Sequence, residues 1–209
     1  LATGVIILPQ RQTALFAKQS ATLDVLSGGR LRLGIGTGWN QVEYEALGEN
    51  FHNRGKRSEE QINLLRKLWA DDLVTFKGDH HIVTDAGLNP LPPRKSIPIW
   101  FGGMANPVLR RVAKIGDGWL PQGSPTDENK LNFERLNQYL ESNNRSMEDI
   151  GIEGRISLNM TNTEIQKSFF AWGQLGATHV SVNTMNLGLQ FPQEHLESLS
   201  NFIEMAKDS

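Results

Sequence analysis

The chain contains no cysteine, which excludes disulfide bonds, thiolate catalysis and cysteine-ligated metal sites. Its charge is nearly balanced, because 21 Lys and Arg residues stand against 23 Asp and Glu residues. Without a basic surplus, we expect no nucleic-acid partner. No apolar run approaches the roughly 20 residues that a membrane-spanning helix needs. We therefore expect a cytoplasmic protein with no membrane association.

Familiar catalytic motifs are also missing. The histidines lack the spacing of a metal site, and the Gly-x-Ser-x-Gly pattern of a serine nucleophile is absent. The dinucleotide-binding pattern Gly-x-Gly-x-x-Gly fails, because Trp39 takes its last position when the count begins at Gly34. The residues thus identify neither a metal, a nucleophile nor an acid–base pair. An organic cofactor that carries the chemistry would explain this gap.

Strand and helix patterns alternate along the chain. Of its 209 residues, 38% are hydrophobic, which suits one globular domain with a sizeable core. The predicted strands are 2–8, 31–36, 97–101, 117–120, 151–158 and 178–184. The predicted helices are 13–26, 58–70, 106–115, 127–142, 163–175 and 193–206. This alternation is typical of βα units with a parallel sheet, and it predicts six of them.

Six units allow two architectures, an open six-stranded sheet or part of an eight-unit barrel. The chain begins with Leu1 rather than Met and begins inside a predicted strand. We therefore expect a fragment that lacks two preceding βα units. Residues 71–96 are too long for a plain connection, so we predict a hairpin or flap there.

Two residues mark predicted helix starts. Ser58 and Gln61 have the spacing of a capping box, which predicts a helix that begins at Ser58. Asn106 followed by Pro107 predicts an N-cap and a first helical residue.

Glycines concentrate where two predicted strands end. Gly34, Gly36 and Gly38 alternate along the end of one strand and remove its side chains. We expect a flat ligand against this bare backbone, because ligands of parallel α/β folds bind at the carboxyl ends of strands. Gly102 and Gly103 follow the next strand. Their amides could hold a phosphate at the helix start, or the pair could form only a tight turn.

Several segments, in this order, resemble the luciferase-like monooxygenase family: Thr3-Gly4-Val5, Leu26 to Arg30, Gly34 to Trp39, Pro98 to Gly103 and Gly116 to Trp119. The resemblance is strong over residues 1–122 and weaker beyond them. The nearest subgroup is that of the deazaflavin (coenzyme F-420) dependent oxidoreductases, and close relatives of that subgroup use FMN.

The resemblance implies a TIM (β/α)8 barrel in which residues 1–209 supply strands three to eight and the first two units are missing. It implies a flavin or deazaflavin at the carboxyl ends of the strands, and a non-proline cis peptide bond between Gly4 and Val5 behind its ring. Relatives usually have proline where this chain has Thr13, which could serve as a helix N-cap. The implied cofactor-binding residues are Gly4, Val5, Thr37, Gly38, Trp39, Gly102, Gly103 and Met104.

The activity implied by this resemblance is hydride transfer to or from a small organic substrate. An FMN-dependent monooxygenase and a non-catalytic, flavin-binding barrel remnant are the alternatives. The resemblance also implies a homodimer. No catalytic residue is assigned, because the missing first strands would often carry it.

Overall fold

A computed structural model describes residues 1–207. They form two compact units, Leu1–Gly102 and the part of Gly103–Ser209 that the structure describes. Each unit is an α/β structure with parallel strands. The single barrel domain over 1–209 stays a prediction.

The first unit contains three strands that match predicted strands and the two strands of a hairpin in the insertion. Its elements are β1 (Ile6–Ile7), α1 (Thr13–Leu26), β2 (Leu33–Gly36), α2 (Gln41–Ala46), α3 (Arg54–Ala70), β3 (Val74–Lys77), β4 (Ile82–Ala86) and β5 (Ile99–Gly102). Strand β2 pairs in parallel with β1 on one side and with β5 on the other. Strands β3 and β4 form an antiparallel hairpin inside the 71–96 insertion, as predicted.

The second unit contains three parallel strands, each followed by a helix. Its elements are α4 (Asn106–Ile115), β6 (Gly118–Leu120), α5 (Asp127–Glu141), β7 (Gly151–Ser157), α6 (Asn162–Gln174), β8 (His179–Asn183) and α7 (Gln193–Lys207). Strand β7 lies between β6 and β8 and pairs in parallel with both.

The first strand is shorter than the predicted 2–8. Ala2 forms an isolated parallel bridge with Arg32, and the regular strand is confined to Ile6–Ile7. A 3-10 helix with a proline in its first turn begins at Leu8 and ends the strand there. Proline has no amide hydrogen to donate to a sheet, so a strand does not continue readily through it.

One predicted helix start and two predicted N-caps are wrong. Helix α3 begins at Arg54, so Ser58 is buried in its interior and does not form a capping box with Gln61. Helix α1 has Gln12 rather than Thr13 as its N-cap, and α4 has Ala105 rather than Asn106. In α3, tertiary packing extends the helix by one turn beyond the local signal.

Helix α6 has a complete capping box at its start and a glycine in the left-handed conformation after its end. The Thr161 hydroxyl accepts the Glu164 amide at 3.4 Å, and the Glu164 carboxylate accepts the Thr161 amide at 2.9 Å. At the other end, Gly176 adopts a φ of +92°, the left-handed conformation that favours glycine.

Buried tryptophans connect helices to strands or to other helices. In the first unit, the Trp69 indole of α3 donates to the Ala17 carbonyl of α1 at 3.2 Å. In the second, the Trp172 indole of α6 donates to the Arg155 carbonyl of β7 at 3.2 Å. Both rings are fully buried, so each hydrogen bond fixes the orientation of a large core side chain.

No helix within residues 1–207 is long and apolar enough to cross a membrane.

A methyl group at Gly154 is expected to destabilise the protein. Gly154 lies in β7 directly against the Trp172 indole, so the Cβ atom of a Gly154→Ala variant would overlap that ring. Because the buried indole is held by its own hydrogen bond, we expect a loss of about 1–3 kcal/mol in the free energy of unfolding, as for other overpacked cores. Urea denaturation followed by tryptophan fluorescence measures it.

Gly173→Ala is the matched control, since it makes the same change one residue after Trp172. Nothing lies within 4 Å of a Cβ atom at Gly173, which is exposed in α6. We expect a gain of about 0.5–1 kcal/mol, because alanine loses less conformational entropy in a helix. Equal effects of the two substitutions would contradict the overlap at Gly154.

Candidate active site

The side chain of Val5 lies across the carboxyl ends of two neighbouring strands in the first unit. Its Cγ2 atom is 3.2 Å from where a Cβ atom would stand on Gly36, the last residue of β2. Its Cγ1 atom is 3.0 Å from the corresponding position on Gly102, the last residue of β5. The two glycines therefore leave room for Val5, which the sequence did not reveal.

This contact corrects the expected bare backbone. We expected glycines at these strand ends to face a ligand directly, but at Gly36 and Gly102 the space is filled by Val5. Val5 remains 38% exposed. An apolar, partly exposed surface, supported from behind by two strands, takes the place of the bare backbone. We call this surface the Val5 shelf.

The chain around Val5 is fixed to β2. The Gly4–Val5 peptide bond is cis, as predicted. Just before it, the Thr3 hydroxyl accepts the Gly34 amide and donates to the Gly34 carbonyl, each at 2.9 Å. A single side chain thus joins the segment before the shelf to the neighbouring strand.

The loop after β2 begins with Thr37 and Gly38 and packs against Ile7 and Tyr44. Gly38 has a φ of +70°, and a Cβ atom there would lie 2.9 Å from Cγ2 of Ile7. Both the backbone conformation and the close approach require glycine. Trp39 follows and is 86% exposed, which is unusual for so large an aromatic side chain.

Tyr44 is a support for this loop that the sequence analysis missed. Its buried ring lies under Gly38, and its hydroxyl donates to the Thr37 carbonyl at 2.6 Å. Burial raises the pKa of Tyr44 to about 12, although the nearby positive charge of Arg54 opposes the shift. The phenol therefore remains a protonated donor across the neutral range. A tyrosine a few residues after a glycine-rich loop was the available signal.

Two arginines at the start of α3 join the surrounding segments. The Arg54 guanidinium stacks 3.7 Å from the Phe51 ring centroid and donates to the Phe51 carbonyl. Arg57 pairs with Glu49 at 2.7 Å and also donates to the Pro9 carbonyl. These contacts connect α3 to the residues that follow β1 and α2.

Gly103 and Met104 lie in the second unit, ahead of α4. The predicted free amide of Gly103 is wrong, because that N–H donates to the Leu120 carbonyl at 3.3 Å. The Gly103 carbonyl accepts the buried Trp119 indole at 2.7 Å. Gly103 has a φ of +121°, so the position favours glycine on backbone grounds alone.

The first turn of α4 has few amides for an anion, because Pro107 has no amide hydrogen and the Val108 amide donates to the Ala105 carbonyl at 2.7 Å, which leaves the Asn106 amide as the donor there. Its N-cap is Ala105, which has no side chain able to accept the first amides, and no side-chain cap is formed. Amides at such a helix end carry a partial positive charge and attract phosphate groups. In residues 1–207 no group of three or more His, Asp or Glu side chains could hold a metal ion.

Six of the eight predicted cofactor-binding residues lie in the first unit, and Gly103 and Met104 lie in the second. The first unit brings Gly4, Val5 and Gly102 together at the shelf, and places Thr37, Gly38 and Trp39 on the loop that Tyr44 and Ile7 support. Apolar contact, rather than acid–base chemistry, is what the shelf can provide.

Removing the Tyr44 hydroxyl is expected to loosen the loop. We expect Tyr44→Phe to lower the free energy of unfolding by about 1 kcal/mol at pH 8 by loss of one buried hydrogen bond. The raised pKa stabilises the fold below about pH 10, where the unfolded phenol is still protonated. This part of the stability is lost as the pH rises from 10 to 12, so the difference between wild type and variant should shrink there.

Tyr139→Phe is the control, because it removes the only other tyrosine hydroxyl while keeping the ring that Arg110 faces. Its effect should stay within about 0.5 kcal/mol, as at other surface positions. Denaturation curves of both variants from pH 8 to 12 test the assignment. A Tyr44→Phe variant as stable as wild type at pH 8 would contradict it.

Known proteins resemble this chain over most of its length. An FMNH2-dependent dimethylsulfone monooxygenase from Pseudomonas fluorescens is 31% identical over 73% of this chain and 42% of its own length. An F420-dependent glucose-6-phosphate dehydrogenase from Amycolatopsis mediterranei is 28% identical over 78% of this chain and 50% of its own length. The chain thus spans half or less of these curated relatives.

A solved structure supports the same fold. The coenzyme F420 dependent tetrahydromethanopterin reductase from Methanopyrus kandleri superposes with a TM-score of 0.65 at 19% identity, covering 75% of this chain and 50% of that one. The model of the family described as luciferase-like monooxygenase matches residues 1–203. The chain therefore belongs to the luciferase-like monooxygenase family.

Proposed function

We propose that this protein binds a flavin or deazaflavin on the Val5 shelf and takes part in hydride transfer to or from a small organic substrate. The observation that carries the proposal is the partly exposed Val5 side chain, held across the ends of β2 and β5 by two glycines. Membership of a family that includes F420-dependent and FMNH2-dependent enzymes supports the choice of cofactor.

The residues present fit such a group. The Val5 shelf offers an apolar face, and a planar ring system buries apolar area favourably against it. Gly4 continues the shelf, and Gly102 supports it from β5. The exposed indole of Trp39 offers a further contact, an aromatic one, in the same unit.

We propose two phosphate-contacting segments, each within its own unit: Thr37 and Gly38 in the first, and Gly103–Met104 in the second. In the second unit, the Asn106 amide at the start of α4 could donate to the phosphate. Because the Gly103 amide already donates to the Leu120 carbonyl, Gly103 would shape the turn rather than donate a hydrogen bond to the phosphate.

When bound, the flavin or deazaflavin supplies hydride exchange, which side chains cannot. The contribution of the chain is to bind the ring on the Val5 shelf, to orient it through the loop that Tyr44 supports, and to exclude water from one of its faces. An FMN-dependent monooxygenase is the second candidate, favoured by the relative that is 31% identical. Strands three to eight of a barrel, a homodimer and a cytoplasmic location remain predictions.

Gly38→Ala tests the proposed site. The alanine would be strained at a φ of +70° and would press on Ile7, so the loop should move. We expect the dissociation constant for FMN or the deazaflavin to rise at least about tenfold, which corresponds to roughly 1.4 kcal/mol. Titration of the purified chain, followed by quenching of tryptophan fluorescence, measures it.

Gly28→Ala is the matched control. Gly28 has nearly the same φ, +67°, but nothing lies within 4 Å of a Cβ atom there. It should suffer similar backbone strain and leave the affinity unchanged. If the wild-type chain binds neither FMN nor the deazaflavin, or if both alanine variants bind as well as wild type, the proposed site is wrong.

A further inference from the structure

The tip of the β3–β4 hairpin is fastened to α3 by one carboxylate. Glu60 accepts the amides of Asp79 at 2.7 Å and His80 at 2.9 Å, and its Oε1 atom lies 2.8 Å from Nδ1 of His81. The Gly78 amide closes the turn on the His81 carbonyl at 2.9 Å. Successive amides converging on one carboxylate form a small anion-binding nest, so the hairpin tip is built around Glu60.

The hydrogen bonds among Gln61, Thr13 and His81 favour one assignment of donors and acceptors. The Gln61 amide nitrogen donates to the Arg11 carbonyl and to the Thr13 hydroxyl oxygen, each at 3.0 Å. A carbonyl can only accept, so this amide cannot be flipped. The Thr13 hydroxyl is then free to donate its own proton to Nε2 of His81, 2.8 Å away. In the arrangement that gives the Thr13 proton an acceptor, His81 is neutral, with its proton on Nδ1 facing Glu60.

This network reaches the segment that follows the Val5 shelf. Residues 9–13 follow β1 after Leu8, and α3 and the hairpin tip hold them at three points. Arg57 donates to the Pro9 carbonyl, and Gln61 donates to the Arg11 carbonyl. Thr13 contacts both Gln61 of α3 and His81 of the hairpin tip. Immediately before this segment, Ile7 packs against Gly38. The position of β1 and its neighbours thus depends on how α3 and the hairpin tip hold residues 9–13.

We propose that Glu60 and His81 are positioning residues for the flavin site, acting through Thr13 on the segment that follows the Val5 shelf. This inference rests on the proposed function. Neither residue touches the shelf itself. Their role is to hold residues 9–13 so that Val5 and Ile7 keep their contacts with Gly36, Gly102 and Gly38.

A second proton on His81 would disrupt this arrangement. Nε2 would become a donor aimed at the Thr13 hydroxyl, whose own proton would lose its acceptor. Burial lowers the pKa of His81, although its bond to Glu60 opposes this, and Arg57 and His80 also face the ring with positive or titratable charge. Burial tends to raise the pKa of Glu60, but the bonds from His81, His80 and Asp79 outweigh it and lower that pKa.

The sign of the pH effect follows from these directions. The neutral form of His81 is favoured in the fold, so its stabilising contribution is present above its usual pKa of 6.5 and declines as the pH falls below that value. The contribution of Glu60 is present above its usual pKa of 4.5 and is lost as the pH falls further, through its lowered pKa in the fold.

The test combines three variants with FMN titrations from pH 8 to 5.5. Thr13→Val removes the hydroxyl at nearly constant shape, and we expect about tenfold weaker binding at pH 8, the scale of one lost hydrogen bond. Thr13→Ser keeps the hydroxyl and should restore the affinity.

His81→Phe cannot titrate, so it supplies the baseline for the phosphate of FMN, which itself titrates near pH 6. The wild type should lose about tenfold more affinity than this baseline on acidification.

Amide hydrogen exchange in the absence of flavin provides an independent measurement. At pH 8, the amides of residues 10–13 and 74–86 should exchange at least about tenfold faster in Thr13→Val than in wild type, since a lost contact of about 1.4 kcal/mol makes local opening tenfold more frequent. The proposal would be overturned by wild-type affinity in Thr13→Val, by a pH profile of His81→Phe identical to that of wild type, or by unchanged exchange at residues 10–13. Failure of the wild-type chain to bind any flavin would instead overturn the proposed function, and the exchange data would still decide whether the hairpin tip positions residues 9–13.

Discussion

The contact of Val5 with two glycines is the constraint on which the candidate site depends. Side chains at Gly36 and Gly102 would occupy the space that Val5 fills between the ends of β2 and β5. With glycine at both positions, an apolar side chain from the neighbouring strand segment can lie over them and remain partly exposed. The glycines thus make room for the Val5 side chain, and they affect a ligand only through the position of Val5.

The supports of this contact are polar and come from several elements. Thr3 joins the chain before Val5 to β2, Tyr44 holds the loop after β2, and α3 holds the segment after β1 through Arg57 and Gln61. The bonds of Tyr44, Arg57 and Gln61 end on backbone carbonyls outside the α-helices and strands, whereas Thr3 bonds to Gly34 within β2. Loops lack the repeating hydrogen bonds of helices and strands, so side chains must satisfy their backbone groups when they are buried. This explains why so many long polar side chains surround a site whose surface is apolar.

The two units use glycine before a helix or loop in different ways. In the first, Gly38 is required by its φ and by the close approach of Ile7. In the second, Gly103 is held at both its amide and its carbonyl, by Leu120 and by the Trp119 indole. A glycine-rich strand end is therefore consistent with ligand binding without being evidence that the amides are free. The family relationship, rather than the glycines alone, is what connects these segments to a flavin or deazaflavin.

The sequence by itself determined the order of elements, because hydrophobic periodicity and turn residues are local. It predicted α1 and α4 at their observed bounds, the hairpin in the insertion and the family, and the family resemblance predicted the cis bond at Gly4. Only the tertiary structure decided that Val5 fills the space beside Gly36, that Tyr44 supports Thr37 and that α3 begins at Arg54 rather than Ser58. These are contacts between residues distant in sequence, or consequences of them, and no local pattern specifies which side chain will occupy the room a glycine leaves.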